Sequence, residues 1–222
     1  MSKTFRFLLA ATGFLLIGNS SLAQLSPDDR TLQYLNSEPY KKMITMVGLI
    51  YDQRVFDRKE ICQTGYKWDP VSFAILQPFS FQDDAEHPSA GAWSYRFRFN
   101  RCNESIVYNV LFQGQNGKQP RPTMLVPGTT RTSPRLASDL MRGLGAAAAI
   151  AGVPADCKDV KVFDTKVTAG PFRLEVDGKV HDGVWEERWY ANACQKDFSV
   201  DFCLTPQITG GTDWALRKCS PS

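Results

Sequence analysis

Histidine is scarce in this chain, and the common metal and nucleophile signatures are missing. Its two histidines, His87 and His181, stand beside Pro88 and Asp182 in segments that read as loops. No Cys-x-x-Cys occurs, and structural zinc takes closely spaced Cys and His pairs, so no metal site is expected. There is no Gly-x-Ser-x-Gly elbow, and neither histidine has a recognisable Ser or Cys partner for a triad. Gly-Leu-Gly at 143–145 lacks the strand–turn–helix setting of a nucleotide fingerprint, so no cofactor is expected.

Charge of one sign is not in excess either. The 26 Lys and Arg are interspersed with 23 Asp and Glu, which leaves no basic footprint for nucleic acid and no polybasic run for an anionic membrane surface. A long apolar run is also lacking. M-S-K-T-F-R is followed by the apolar F-L-L-A-A-T-G-F-L-L-I-G and then N-S-S-L-A, which is short of the about 20 residues a membrane span needs. A cationic start, a short apolar stretch and a small-x-small site ending at Ala23 read as an export signal over 1–23. The alternative is an uncleaved anchor. Without Lys3 and Arg6 the formal charge of +3 falls to about +1.

All six cysteines (Cys62, Cys102, Cys157, Cys194, Cys203 and Cys219) follow that leader. An even number in an exported chain reads as disulfides, with fifteen ways of pairing six. The remaining chain of about 200 residues is long enough to bury a core without them.

After a polar leader, Ser37-Glu38-Pro39 predicts a capped helix start. Tyr40, Met43, Ile44, Val47, Ile50, Tyr51 and Val55 then form one stripe, a helix over 38–57. Strand-like texture follows in V-S-F-A-I-L from Val71, A-W-S-Y-R-F-R-F, S-I-V-Y-N-V-L-F and a short T-M-L-V at 123–126. The polar loop 83–91 separates the first two. Ser133-Pro134 predicts a second helix over 134–151. Its apolar side is Leu136, Leu140, Leu144, Ala147, Ala148 and Ile150, and Gly143, Gly145 and the alanines suit close packing. Strands are expected again at 159–167, 184–194, 198–205 and 213–218, with turns at D-G-K and T-G-G-T.

The chain repeats itself. G-A-W-S-Y-R-F-R-F-N-R-C, 91–102, and G-V-W-E-E-R-W-Y-A-N-A-C, 183–194, share Gly, Trp, Arg, Asn and Cys at a constant offset of 92. Helix, cysteine, strand, polar loop, Gly-x-Trp strand and a Gly-Thr turn follow in the same order around each, which predicts a duplicated unit. The fold expected is α+β: two helix-plus-antiparallel-sheet units, 24–130 and 131–222, forming two bodies or one pseudo-symmetric domain. By the symmetry of the repeat the disulfides pair as Cys62–Cys102, Cys157–Cys194 and Cys203–Cys219.

Strand alternation puts Trp185, Glu187 and Trp189 on one face and Glu186, Arg188, Asn192 and Cys194 on the other. In the first unit Trp93, Tyr95, Phe97 and Phe99 oppose Arg96, Asn100 and Cys102. Glu186 and Glu187 thus point apart and do not flank one bond as glycosidase carboxylates do. A glutamate pairing Arg188 on a partly wet face is the simpler expectation. Thr129, Thr130 and Arg131 could hold an anion ahead of the second helix, or be an ordinary helix start. Cysteine catalysis needs a free low-pKa thiolate, which disulfides remove.

L-V-P-G-T-T-R-T-S-P-R-L-A-S-D-L, with G-V-W-E-E-R-W…C and G-G-T-D-W, resembles a set of exported proteobacterial proteins over roughly 124–219. The resemblance implies a periplasmic destination and carries no activity. Two functions follow as expectations. The first is a non-catalytic envelope protein that binds a partner protein or ligand at the seam between units through Trp93, Trp185, Trp189, Arg96 and Arg188. The second is a periplasmic hydrolase using Glu187, Arg188 and loop residues. An exposed aromatic patch favours binding; a deep pocket with converging carboxylates favours the enzyme.

Overall fold

The computed structural model describes residues 28–56, 65–101, 104–176 and 178–219. The chain is mixed α and β, mostly sheet, with three helices and two four-stranded antiparallel sheets among the described residues. The leader over 1–23 and the Cys62–Cys102 pairing lie outside the described residues, as does the side chain of Val55. No described helix is long and apolar enough to cross a membrane.

Helix α1, Asp29–Leu35, replaces part of the expected polar leader; the Asp28 carboxylate caps it by accepting from the Thr31 N–H at 2.7 Å. Helix α2, Glu38–Phe56, starts where Ser37 Oγ accepts from the Tyr40 N–H. Its stripe of Tyr40, Met43, Ile44, Val47 and Tyr51 is buried against one face of the first sheet, on Trp93, Tyr95, Phe97, Phe99, Tyr108 and Phe112. A methyl group at Gly48 would lie 2.5 Å from the Phe99 ring, so glycine sets how closely this helix approaches the sheet.

The first sheet is a meander, β1 Lys67–Ser80, β2 Ala90–Arg101, β3 Glu104–Gln115 and β4 Lys118–Met124, paired in that order. Strand β4 lies earlier than the expected 123–126. Its two prolines, Pro120 and Pro122, are tolerated because it is an edge.

Helix α3, Pro134–Ile150, is capped by Ser133 Oγ, which accepts from the Leu136 N–H. Its Leu140, Leu144 and Ala137 meet Trp189, Ala191, Phe202 and Leu204 of the second sheet. Gly143 lies under Trp214, whose ring a methyl group would approach to 2.8 Å. Ile150, expected on the apolar side, is instead 83% exposed at the helix end. The second sheet is β5 Val160–Val176, β6 Lys179–Ala193, β7 Lys196–Pro206 and β8 Thr212–Ala215, again paired in order. β5 runs well past the expected 167, with register shifts that let it continue through Gly170-Pro171. His181 consequently sits in strand β6 rather than in a loop.

The internal likeness extends to hydrogen-bond register. Every pairing of β2 with β3 from Trp93↔Phe112 to Arg101↔Glu104 recurs 92 residues later, from Trp185↔Leu204 to Ala193↔Lys196. Leu111↔Thr123 likewise becomes Cys203↔Ala215. Two expected disulfides are formed, Cys157–Cys194 and Cys203–Cys219.

Candidate functional site

Alternation along β6 places Glu187 between Trp185 and Trp189 on the face toward α3, as its position in the strand requires. Its carboxylate is wholly buried. Oε1 accepts from the Arg131 N–H at 2.7 Å and the Trp185 indole N–H at 2.9 Å. Oε2 accepts from the Thr130 hydroxyl at 2.7 Å and the Trp189 indole N–H at 2.9 Å. Four donors converge on a group that, ionised, only accepts. The anion that Thr130 and Arg131 hold ahead of α3 is therefore the protein's own carboxylate.

Glu187 does not pair Arg188 on a wet face. Arg188 points the other way and forms two bonds to Asp201 across the β6–β7 ladder, at 2.7 and 2.9 Å. Arg188 holds the Asp201 carboxyl below the usual carboxylate range through that bond and its charge. Glu187 and Arg188 are thus not brought together. Glu186 accepts from the Cys219 N–H, 2.8 Å away, and secures the C-terminal strap beside the Cys203–Cys219 bridge.

The tryptophans expected to face a ligand do not. Trp93 and Trp189 are 0% exposed, each packed under its own helix, and Trp185 is only partly accessible with its N–H engaged by Glu187. They are core residues, because the Trp-bearing face of each sheet is the face its helix covers.

Arg96 occupies the place that Arg188 occupies 92 residues later. Its cross-strand partner is Asn109 where Arg188 has Asp201. Arg96 Nε donates to Asn109 Oδ1 at 2.5 Å, and Nη2 donates to the Thr130 carbonyl at 2.6 Å. Asn109 uses its amide N–H groups on the carbonyls of Val126, at 2.7 Å, and Gly128, at 3.0 Å. An aspartate could not donate these bonds, which explains the amide here. Thr130 therefore bridges an arginine of the first sheet and a glutamate of the second.

The segment carrying these bonds is held tightly. Gly128 has φ of +97° and lies directly on the Thr165 backbone, where a side chain has no room. Thr165 Oγ1 donates to the Pro127 carbonyl at 2.5 Å and accepts from the Thr130 N–H at 3.2 Å, while the Thr129 N–H reaches the Thr165 carbonyl at 2.7 Å.

Two cavities border this framework and a third lies apart from it. One of about 260 Å³ lies on the outer face of the first sheet, lined by Arg96, Ser94, Leu76, Leu111, Leu125 and Thr132 among others. A second, about 510 Å³, runs between Glu104–Val107 of the first sheet and Phe163, Asp164 and Lys166 of the second. A third, about 410 Å³, opens beside His181, Asp213 and Arg217. Between α2 and the first sheet Asp52 is buried with Arg101 and Tyr108, each bonding one of its oxygens, and burial raises the Tyr108 hydroxyl above its usual range.

Sequence reasoning singled out Arg96, Glu187 and Arg188 but passed over Asn109 and Asp201. Advancing Asn109 by the same offset of 92 lands on Asp201, so the repeat contained the signal that one arginine has an anionic partner and the other a neutral one. No family model, curated protein or solved structure matches this chain.

Proposed function

We propose that this is an exported binding protein of the bacterial envelope, without a catalytic role, that takes its ligand at the seam where the two units meet. We take those units as copies of one ancestral helix-and-meander. The observation that carries the functional reading is the saturation of Glu187. The one carboxylate set among the tryptophans of the repeated strand accepts four internal donors and has no exposed surface. It joins the linker between β4 and α3, residues 125–133, to the second sheet, and little acceptor capacity remains for a substrate. The two disulfides, behind a cationic and apolar leader, support a destination outside the cytoplasm.

The test is capture of a specific partner or ligand from envelope extract by the purified oxidised protein, alongside assay on a peptide and glycan panel. The expected result is saturable capture and no turnover. Hydrolysis lost in a folded Glu187→Gln variant would reverse the reading.

A further inference from the structure

An arginine drawn partly out of water without an anionic partner calls for explanation, because desolvating a charge is costly unless something compensates it. Arg96 is half-buried, and no described carboxylate lies within ion-pair distance of it. Its two hydrogen bonds use Nε and Nη2 on neutral oxygens. Nη1 has no acceptor among the described residues. Glu187 is the carboxylate whose field reaches it, yet Thr130 stands between them and both Glu187 oxygens are occupied. Arg188, in the same place in the second sheet, is neutralised by two bonds to Asp201.

The surroundings of Arg96 have the makings of a small amphipathic site. Ser72, its cross-strand neighbour on β1, and Ser94, two residues before it on the same face, line the cavity with hydroxyls that have no partner among the described residues. The remaining wall is aliphatic, from Leu76, Leu111 and Leu125, and Leu76 is 55% exposed. Thr132 and Pro134 bring the start of the 17-residue α3 to the rim, where the helix dipole adds partial positive charge. At about 260 Å³ the space falls just below the roughly 300 Å³ at which ligand sites begin, which limits it to a short group.

We infer that this cavity binds a carboxylate borne on a short aliphatic group, the carboxylate on Arg96 and the aliphatic part against Leu76, Leu111 and Leu125. This rests on the binding reading above, the cavity lying where Thr132 and Pro134 of the second unit meet the first sheet, and gives it a ligand chemistry. Two sources share that chemistry: a free short-chain acid, and the C-terminal residue of a peptide ending in leucine.

The experiment is calorimetric titration of the full protein, secreted with its disulfides, against hexanoate, hexanamide, and a leucine-ended peptide with free or amidated C-terminus. At least one carboxylate probe is expected to saturate, and its neutral counterpart to bind at least tenfold more weakly. Hexanoate binding marks the free-acid source; binding of the free-ended peptide alone marks the peptide source. Ser94→Asp places a countercharge two residues from Arg96 without touching its bonds to Asn109 and Thr130, and should weaken the carboxylate at least tenfold with the melting curve retained. Arg96→Gln should abolish binding, and Ser94→Asp keeps the test decisive if that variant fails to fold. Equal affinity for charged and neutral probes, indifference to Ser94→Asp, or no saturation by either carboxylate would each overturn the assignment. Capture of an envelope partner unaffected by Ser94→Asp would overturn it too, while leaving the broader binding reading intact.

Discussion

Arg96 and Arg188 stand at the same point of two sheets with the same register, and they are treated differently. Arg188 meets Asp201 across the ladder and its charge is closed. Arg96 meets Asn109, and its charge stays open toward a cavity. The difference comes from what each outer face must do. The first sheet's face carries the linker, whose carbonyls at Val126 and Gly128 need the amide N–H groups of Asn109. Asp201 has no backbone carbonyl to serve among the described residues, only Arg188, so a carboxylate suits it. A backbone requirement in one sheet thus leaves a charge available that the other sheet neutralises.

The inner faces differ as well. Tyr95 of the first sheet packs among aromatics, whereas Glu187, 92 residues later, collects four donors. The largest predicted effect breaks that contrast. Glu187→Gln turns one oxygen into a donor facing donors, and leaving buried polar groups unsatisfied costs about 1–3 kcal/mol each. The expected loss is about 3 kcal/mol, a fall in Tm of about 6–12 °C for a chain of this size, measured by thermal unfolding.

Asn109→Asp makes the first sheet resemble the second. It gives Arg96 a countercharge but turns an oxygen toward the Val126 and Gly128 carbonyls at a buried position. Despite the new ion pair, stability is expected to fall by about 2 kcal/mol, read in the denaturant midpoint. A gain in stability would show that the linker carbonyls do not select the amide.

The smallest effect comes from the reverse change, Asp201→Asn, at a partly accessible pair. Asp201 has its carboxyl pKa depressed in the folded state. Its contribution is therefore present above the unfolded value of about 3.9 and is lost as pH falls through the lower folded value. Wild type should be modestly more stable at pH 7, with the difference shrinking below about pH 4 in acid unfolding curves.

The two main helices were legible because their apolar residues recur with helical period and each start carries a serine followed within two residues by proline. The repeat made two disulfides and the strand faces legible, since a gapless offset of 92 preserves both parity and register. Helix α1 was not legible: seven residues give too short a periodic signal, although Asp28 stands in capping position. The start of β1 at K-W-D-P and the edge strand β4 were obscured by prolines that local propensity counts against a strand. The burial of Glu187 was hidden for a different reason. Alternation aligned it with the tryptophans, but its fate depends on Thr130 and Arg131, more than fifty residues away in sequence. The tryptophans themselves were misread as binding surface because aromatic content does not say which face a helix will cover.

The most direct measurement is NMR of the arginine side-chain N–H groups during titration with the carboxylate probe that binds. The Arg96 Nε and Nη resonances are expected to shift saturably while those of Arg188 remain still. Equal movement of both, or movement of Arg188 alone, would contradict the assignment.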